Sequence, residues 1–200
     1  MKDKPNINQL PMKQAIILSF ALLLFSSAHA QTEVAIGIKG GPNFATFDIS
    51  DFEGSLKNRT GIHVGAFSLF KLGKIGIQPE VIYSQQGSKI RIDGQELEGN
   101  FQYMNIPIML KLYTVLGLNL QVGPQFGFLS SAEIDGNNVK EIYKNSDTSL
   151  AFGVGWDLPM RLTVDARYNL GLSDINDSST DNTVKNQVFQ ISVGFKLFRF

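Results

Sequence analysis

Apolar and polar residues alternate with a period of two along most of the chain after residue 33. The clearest stretch spans 118–128, where one parity is apolar and the other is polar or glycine: Leu118, Leu120, Val122, Pro124, Phe126 and Phe128 against Asn119, Gln121, Gly123, Gln125 and Gly127. Residues 162–170 and 189–197 repeat the pattern. Strict alternation indicates strands with one apolar and one polar face. Three β-strands are therefore predicted.

Five further segments have strand character, at 34–41, 62–72, 75–86, 104–112 and 149–157. Each is long enough, or nearly so, to cross a bilayer as a tilted strand of roughly 9 to 11 residues. No segment after residue 31 is long and apolar enough to cross as a helix. A membrane form of the chain therefore has to be a closed barrel.

The connections between these eight segments alternate in length. Long connections are predicted at 42–61, 87–103, 129–148 and 173–186, and short ones at 73–74, 113–117 and 158–161. All the long connections then lie at one end of the barrel, as in outer-membrane barrels with long external loops and short periplasmic turns. The predicted fold is an all-β, eight-stranded antiparallel up-and-down transmembrane β-barrel with both termini periplasmic.

Two local features modify this picture. Asp93-Gly94 stands between two polar alternating stretches, which predicts a two-residue hairpin that projects beyond the membrane. Pro79, Pro107 and Pro124 fall inside predicted strands, where each removes a ladder donor. Local bulges are expected at these prolines.

Residues 1–30 have the features of a cleaved signal peptide. Lys13 supplies the positive start, 15–25 the apolar core, and Ala28-His29-Ala30 a small-x-small cleavage site. Cleavage would leave Gln31 as the first residue of a barrel domain at 31–200, and Met12 is an alternative start. A membrane anchor is the competing interpretation, but the apolar run is shorter than the roughly 20 residues that a spanning helix needs.

Composition removes several classes of function. The 200 residues suit one domain, and 18 basic against 18 acidic residues give no net field to attract nucleic acid. Cysteine is absent, which excludes disulfides and thiol nucleophiles. Only His29 and His63 are histidines, and cleavage would remove His29.

The polar face of the predicted strands mixes acids, bases and amides. By parity the interior carries Lys39, His63, Gln78, Glu80, Ser84, Asn105, Lys111, Asn119, Gln121, Asp157, Asp165, Arg167 and Asn169. An eight-stranded barrel is just wide enough for side chains to fill it, which favours a paired polar plug over a conducting channel or a ligand cavity. Lys39, Glu80, Lys111, Asp165 and Arg167 are the central candidates, with Glu80 paired to Arg167 or Lys111.

No catalytic residue, cofactor or metal site is predicted. His63 is the base that a hydrolase would need, but a lone histidine is more often a satisfied polar side chain. Gly153-Val154-Gly155 lacks the third glycine of a nucleotide fingerprint. Asp174, Asp177 and Asp181 lack the spacing of a calcium loop.

Aromatic residues near the predicted strand ends are typical of a headgroup belt. They are Phe44, Tyr83, Tyr103, Tyr113, Trp156 and Tyr168. The alternative is that they form the core of a periplasmic lipocalin-like barrel, in which the apolar face turns inward to hold a ligand.

Five fragments in this order resemble the PorT-like family of Gram-negative outer-membrane β-barrel proteins. They are 37–44 (GIKGGPNF), 78–85 (QPEVIYSQ), 106–111 (IPIMLK), 166–172 (ARYNLGL) and 189–196 (FQISVGFK). The resemblance covers essentially the whole chain after the signal, and it implies the fold and the compartment. One departure is that Phe200 is out of phase with the apolar residues of 189–197, so either 198–200 overhang or a bulge shifts the register.

The expected function is that of a non-enzymatic integral outer-membrane protein, structural or an adaptor, with a filled lumen. A small porin, a ligand-binding or transport barrel, and a periplasmic lipocalin-like barrel are the alternatives. Expected partners are outer-membrane lipid, the barrel-assembly machinery during insertion, and secretion or envelope proteins, with no nucleic acid.

Overall fold

The chain folds into antiparallel β-strands, as the period-two pattern predicts. A computed structural model describes residues 32–49, 55–86, 88–92, 95–142, 144–173 and 184–200. Within these ranges the helical elements are two short 3₁₀ turns, at Lys140–Ile142 and Pro159–Arg161. The described residues include no helix with the length and hydropathy that a membrane crossing requires.

Ten strands are formed by the described residues, and eight of them are long. The strands are β1 (Thr32–Ile49), β2 (Ser55–Leu72), β3 (Ile75–Gln86), β4 (Ser88–Ile92), β5 (Gln95–Tyr113), β6 (Leu118–Ile134), β7 (Asn137–Asn138), β8 (Ser146–Asp157), β9 (Leu162–Gly171) and β10 (Val184–Arg199). β4 continues the direction of β3, and β7 pairs back onto the end of β6.

The eight long strands close into a ring. Each pairs antiparallel with the strand before and after it, in the order β1, β2, β3, β5, β6, β8, β9 and β10, and β10 pairs with β1. Closure leaves no unpaired sheet edge, which is the condition for a β-structure to lie in a bilayer. The predicted eight-stranded antiparallel barrel is confirmed.

The two faces of the wall differ as the sequence pattern predicts. In β6, Leu120 and Val122 point outward and are 55% and 44% exposed, whereas Gln121 points into the lumen and is 3% exposed. The same alternation runs around the ring, with isoleucine, leucine, valine and phenylalanine outside. An apolar outside and a polar inside are the reverse of a soluble lipocalin-like barrel, so that alternative does not fit the fold.

The strands extend much further than predicted, and three of the four long connections are consequently shorter. β1 and β2 have 18 residues each, against the roughly 9 to 11 that cross a bilayer, and residues 50–54 separate them. The sequence pattern predicts a strand end where the outward apolar residues stop. Backbone pairing does not depend on side-chain polarity, so the ladders continue into polar sequence and the connections that remain long are 135–145, which contains β7, and 172–183.

The hairpin predicted around Asp93-Gly94 is present in its arms. Ile92 pairs with Gln95 and Lys89 with Glu98, and the ladder runs on into β5. The two turn residues themselves lie outside the described residues. The long connections all lie at one end of the barrel. The short turns Gly73–Lys74, 114–117 and 158–161 lie at the other end, together with both ends of the barrel domain.

The bulges expected at the prolines are absent from the described strands. Pro79, Pro107 and Pro124 each interrupt the ladder with one neighbouring strand over two residue pairs and stay paired with the other, and the register resumes unchanged. In an antiparallel ladder each N–H serves one neighbour only, so a proline removes one contact and does not force an extra residue. Gly123 precedes Pro124 because a Cβ there would collide with the Ile108 carbonyl.

A bulge does occur near the C-terminus. Ile36 pairs with Phe198 but Gly37 pairs with Lys196, so Leu197 is an extra residue in β10. The extra residue turns Phe198 and Phe200 to the outer face, and Phe200 exchanges two backbone hydrogen bonds with Val34 at 2.8 and 3.1 Å. Residues 198–200 therefore belong to the barrel wall and are not an overhang.

Two of the six aromatic residues predicted for the headgroup belt point into the lumen and not toward the membrane. Tyr103 and Tyr113 are 1% and 3% exposed and face the lumen, because their parity is that of Asn105 and Lys111. Trp156 faces outward and donates from Nε1 to the Leu116 carbonyl at 3.0 Å. Position near a strand end therefore does not show whether an aromatic residue faces the membrane or the lumen. Its parity along the strand does.

Candidate functional site in the barrel interior

An ion pair between opposite walls lies at the centre of the lumen. Arg167 of β9 donates from Nη1 and Nη2 to the two carboxylate oxygens of Glu80 on β3, at 2.8 and 2.6 Å. β3 and β9 are four places apart in a ring of eight, so the pair spans the barrel. Both side chains are 2% exposed. A bidentate guanidinium–carboxylate pair fixes both side chains in one geometry.

Amide and ammonium groups complete the coordination of this pair. Gln78 donates to Glu80 at 2.6 Å, and Arg167 Nε donates to Gln121 at 2.7 Å. Lys39 of β1 lies 3.6 Å from Glu80 and donates to Asp165 at 2.9 Å. These contacts join four strands around one carboxylate.

Lys111 does not contact Glu80 directly. Its ammonium donates to Gln78 at 3.1 Å and lies 3.5 Å from Asp157 and 3.8 Å from Asp165. Gln121 also donates to Asp165, at 2.5 Å. Of the two partners considered for Glu80, Arg167 makes the contact and Lys111 belongs to the adjoining layer.

A second ionic cluster lies at the short-turn end of the lumen. Lys196 of β10 donates to Glu33 and to Asp157, both at 2.7 Å, and Tyr113 donates to Asp157 at 3.1 Å. Arg199 approaches Glu33 at 3.3 Å from the rim. The clusters share Asp157, so the ionic groups form a continuous column from the centre of the barrel to this end.

His63 lies in a hydrogen-bonded chain with Asn43 and Ser192. Its Nδ1 is 2.7 Å from Asn43 Oδ1, and its Nε2 is 2.8 Å from Ser192 Oγ. Asn43 Nδ2 donates to Ser84 at 2.7 Å and to two backbone carbonyls, so its oxygen faces the histidine. Nδ1 then carries the proton, and Ser192 donates to Nε2.

In this hydrogen-bonded chain a hydroxyl and an imidazole follow in the order of a serine-hydrolase triad, but the third group here is the Asn43 amide and not the carboxylate that such a triad uses. Ser192 and His63 are each 2% exposed, and Asn43 is fully buried. The groups also lie on the inner side of the closed barrel wall. The chain therefore ties β1, β2, β3 and β10 together.

An apolar layer lies towards the long-strand end of the lumen. Phe101 and Tyr103 of β5 pack with Leu129 and Ala132 of β6, and Val139 packs against them from the connection after β7. Val139 is held there by a backbone hydrogen bond from its N–H to the Ala132 carbonyl at 3.0 Å. This cluster lies on the β5–β6 side of the lumen, and Gln86 and Asn186 form a buried hydrogen bond at the same end.

The structure places all thirteen residues predicted for the interior on the inner face. Twelve are buried, and the side chain of Asp157 is 11% exposed. It also places there residues that were not selected: Glu33, Asn43, Gln86, Tyr113, Asn186, Gln190, Ser192 and Lys196. The alternation along 189–197 is sufficient to predict that Gln190, Ser192 and Lys196 face the lumen. Glu33, Asn43 and Asn186 were missed because the strands were ended too early.

Some predictions cannot be compared with the structure. Ala28, Ala30 and Gln31 of the cleavage site, and Asp174, Asp177 and Asp181, lie outside the described residues. Within the described ranges, no group of three or more histidine and carboxylate side chains is arranged to hold a metal ion.

Comparison with known proteins identifies the class of this barrel. Residues 29–177 match the family described as outer membrane protein beta-barrel domain, and the chain belongs to that family. It is therefore an integral outer-membrane β-barrel protein of the Gram-negative type. No curated protein sequence matches the chain.

Two solved structures illustrate the fold. Neisserial surface protein A superposes with a TM-score of 0.56 at 12% identity, over 84% of this chain and 100% of that one. Ail, the attachment invasion locus protein of Yersinia pestis, gives a TM-score of 0.47 at 19% identity, over 85% of this chain and 99% of that one. The first similarity supports the fold, and neither assigns a function.

Proposed function

We propose that this protein is a non-conducting barrel that serves as a structural or adaptor component of the outer membrane. The observation that carries the proposal is the balance of charge inside the lumen. The ionic column holds four cations, Lys39, Lys111, Arg167 and Lys196, and four anions, Glu33, Glu80, Asp157 and Asp165, and each lies within 4 Å of a group of opposite sign. A fifth acid, Asp147 of β8, lies against Gly127 on the inner face, outside this column and towards the other end.

A balanced column disfavours ion passage. A permeant ion would have to displace at least one internal ion pair, and separating a buried pair leaves an uncompensated charge in a low-dielectric interior. The apolar layer of Phe101, Tyr103, Leu129 and Ala132 opposes passage of water and ions at the other end. Both features favour the plugged barrel over the small-porin alternative.

Electrical recording tests the proposal. Purified protein in planar bilayers is expected to show no steady conductance, with insertion verified by the heat-dependent gel mobility typical of folded barrels. A matched control is the variant with Glu80→Ser, Arg167→Ser and Phe101→Ser, which removes bulk from both layers and is expected to leak. A stable open channel in the wild type would contradict the proposal.

The orientation and partners follow as part of the same proposal. Short turns and both ends of the barrel domain face the periplasm, and the long hairpins face outward, as in outer-membrane barrels generally. A closed lumen leaves the protruding hairpins and the two rims as the surfaces on which other envelope proteins or lipids can bind.

A further inference from the structure

The short-turn end of the barrel has an uneven distribution of charge. Lys71 and Lys74 are half-buried, and Arg161 and Arg199 are exposed. The described acids at this end, Glu33 and Asp157, are turned into the lumen and contact Lys196. The surface that this rim presents to a membrane is therefore cationic.

An apolar groove opens on the outer wall beside two of these cations. It has a volume of about 500 Å³ and is lined by apolar side chains of β1, β2 and β3, namely Val34, Phe70, Leu72, Ile75 and Ile77, together with Thr32, Glu33 and Lys71. The Glu33 carboxylate contacts Lys196 and Arg199, so its charge is compensated. Leu72 and Ile75 flank the turn that carries Lys74.

The ammonium of Lys71 is held at this edge. Its Nζ lies 4.0 Å from the centroid of the Tyr113 ring, at the mouth of the lumen. A cation above an aromatic face is favoured over one free to move away. Lys71 therefore places a positive group at the membrane-surface end of a groove whose walls are otherwise apolar except at Thr32 and the ion-paired Glu33.

We propose that this groove binds one anionic phospholipid, with an acyl chain against Phe70 and Ile77 and the phosphate group near Lys71 and Lys74. The proposal rests on the barrel lying in a bilayer and is independent of whether the lumen conducts. Apolar surface directly beside basic groups matches the boundary between acyl chains and anionic headgroups. A zwitterionic lipid offers the same chain without the net charge, so the site should distinguish the two.

Fluorescence quenching by brominated lipids tests this with probes built into the chain. Trp156 is the only tryptophan, and it faces outward from β8, on the opposite wall from β2 and beside the uncharged turn 114–117. It reports ordinary lipid contact. Phe70→Trp in a Trp156→Phe background reports the groove. Both proteins are placed in vesicles of phosphatidylcholine with one-fifth phosphatidylglycerol, with one lipid or the other brominated.

The groove probe is expected to be quenched as if phosphatidylglycerol occupied a little over half of the lipid positions at the groove, nearly three times its share, because roughly one basic residue favours an anionic lipid about fivefold. The Trp156 probe should follow the bulk composition. Lys71→Gln with Lys74→Gln should abolish the enrichment, and Lys140→Gln at the other end of the barrel should leave it.

Three other results would contradict the proposal or its premise. Quenching of Phe70→Trp that simply follows the bulk composition would overturn the lipid site, as would enrichment that survives the double lysine variant. Absence of quenching at Trp156 by either lipid would instead show that the barrel is not seated in the bilayer, which is a separate failure.

Discussion

At the residue scale, the Glu80–Arg167 pair decides how opposite walls of the barrel are held together. Neither charge is tolerated alone at 2% exposure, because burial of an unpaired ion costs several kcal/mol. Each is paired chiefly with the other, while Lys39 lies 3.6 Å from Glu80 and Asp165 lies 3.9 Å from Arg167. Gln78 donates to Glu80, and Gln121 accepts from Arg167 Nε. The pair gives the interior one preferred arrangement.

This dependence predicts non-additive mutations. Glu80→Ala and Arg167→Ala should each lower the free energy of unfolding by about 3 to 5 kcal/mol, and the double variant should lose clearly less than the sum. Urea titration in lipid vesicles, followed by heat-dependent gel mobility, measures the losses. Lys74→Ala, at the rim, is the control and should change stability by less than about 0.5 kcal/mol. Additive losses would show that the two side chains act independently.

The hydrogen-bonded chain through His63 gives a second prediction at this scale. Ser192→Ala should destabilise the barrel by about 1 to 3 kcal/mol, because His63 Nε2 loses its donor in a buried site. The wild-type protein should not react with a fluorophosphonate probe, since Ser192 is 2% exposed. Labelling of folded wild-type protein that disappears in Ser192→Ala would instead identify Ser192 as an accessible nucleophile.

Parity in the sequence was enough to assign Lys39, Glu80, Lys111, Asp165 and Arg167 to the interior. It could not determine which of them touch. Those contacts depend on the stagger of strands around the ring, which sets Arg167 opposite Glu80 and Lys111 beside Gln78. The alternation of side chains along one strand does not predict how far the strands are offset from one another, because the register between distant strands is set by the closure of the barrel.

At the element scale, the sequence predicted which segments are strands better than where the strands end. Residues 42–49 and 55–61 were expected to be loop, yet they extend β1 and β2. A membrane strand is recognised by its outward apolar residues, and beyond the bilayer those are replaced by polar ones while pairing continues. The prolines differ from the prediction in the opposite sense, because a lost backbone donor predicts a bulge and the register continues without one.

The bulge at Leu197 makes a prediction about strand β10. Deletion of Leu197 should be tolerated, because Lys196 and Phe198 keep their inward and outward positions opposite Gly37 and Ile36. Deletion of Val193, a regular ladder residue, should abolish folding, since it moves one side of the strand to the wrong face. The fraction folded in vesicles measures both. Equal damage by the two deletions would contradict the bulge assignment.

At the scale of the whole molecule, the two ends of the barrel differ in construction. One end has turns of two to four residues, a cationic rim and both ends of the barrel domain, and the other has strands that continue past the apolar belt as paired hairpins. The lumen between them contains the ionic column and the apolar cluster on β5 and β6. Binding of other molecules is therefore expected on the end surfaces rather than through the interior.

This asymmetry gives the last prediction, which concerns orientation in the cell. The chain contains no cysteine, so single cysteines report their own position. Asn137 is exposed beyond the end of β6, and Lys74 lies in the tight turn at the other end. On intact cells, Asn137→Cys should react with a membrane-impermeant maleimide and Lys74→Cys should not, whereas both should react after the cells are lysed. Labelling after lysis is the control for side-chain access, since it shows that a silent cysteine is shielded by the membrane and not by the fold. Reaction of Lys74→Cys on intact cells, with Asn137→Cys silent until lysis, would reverse the orientation and place the cationic rim at the cell surface.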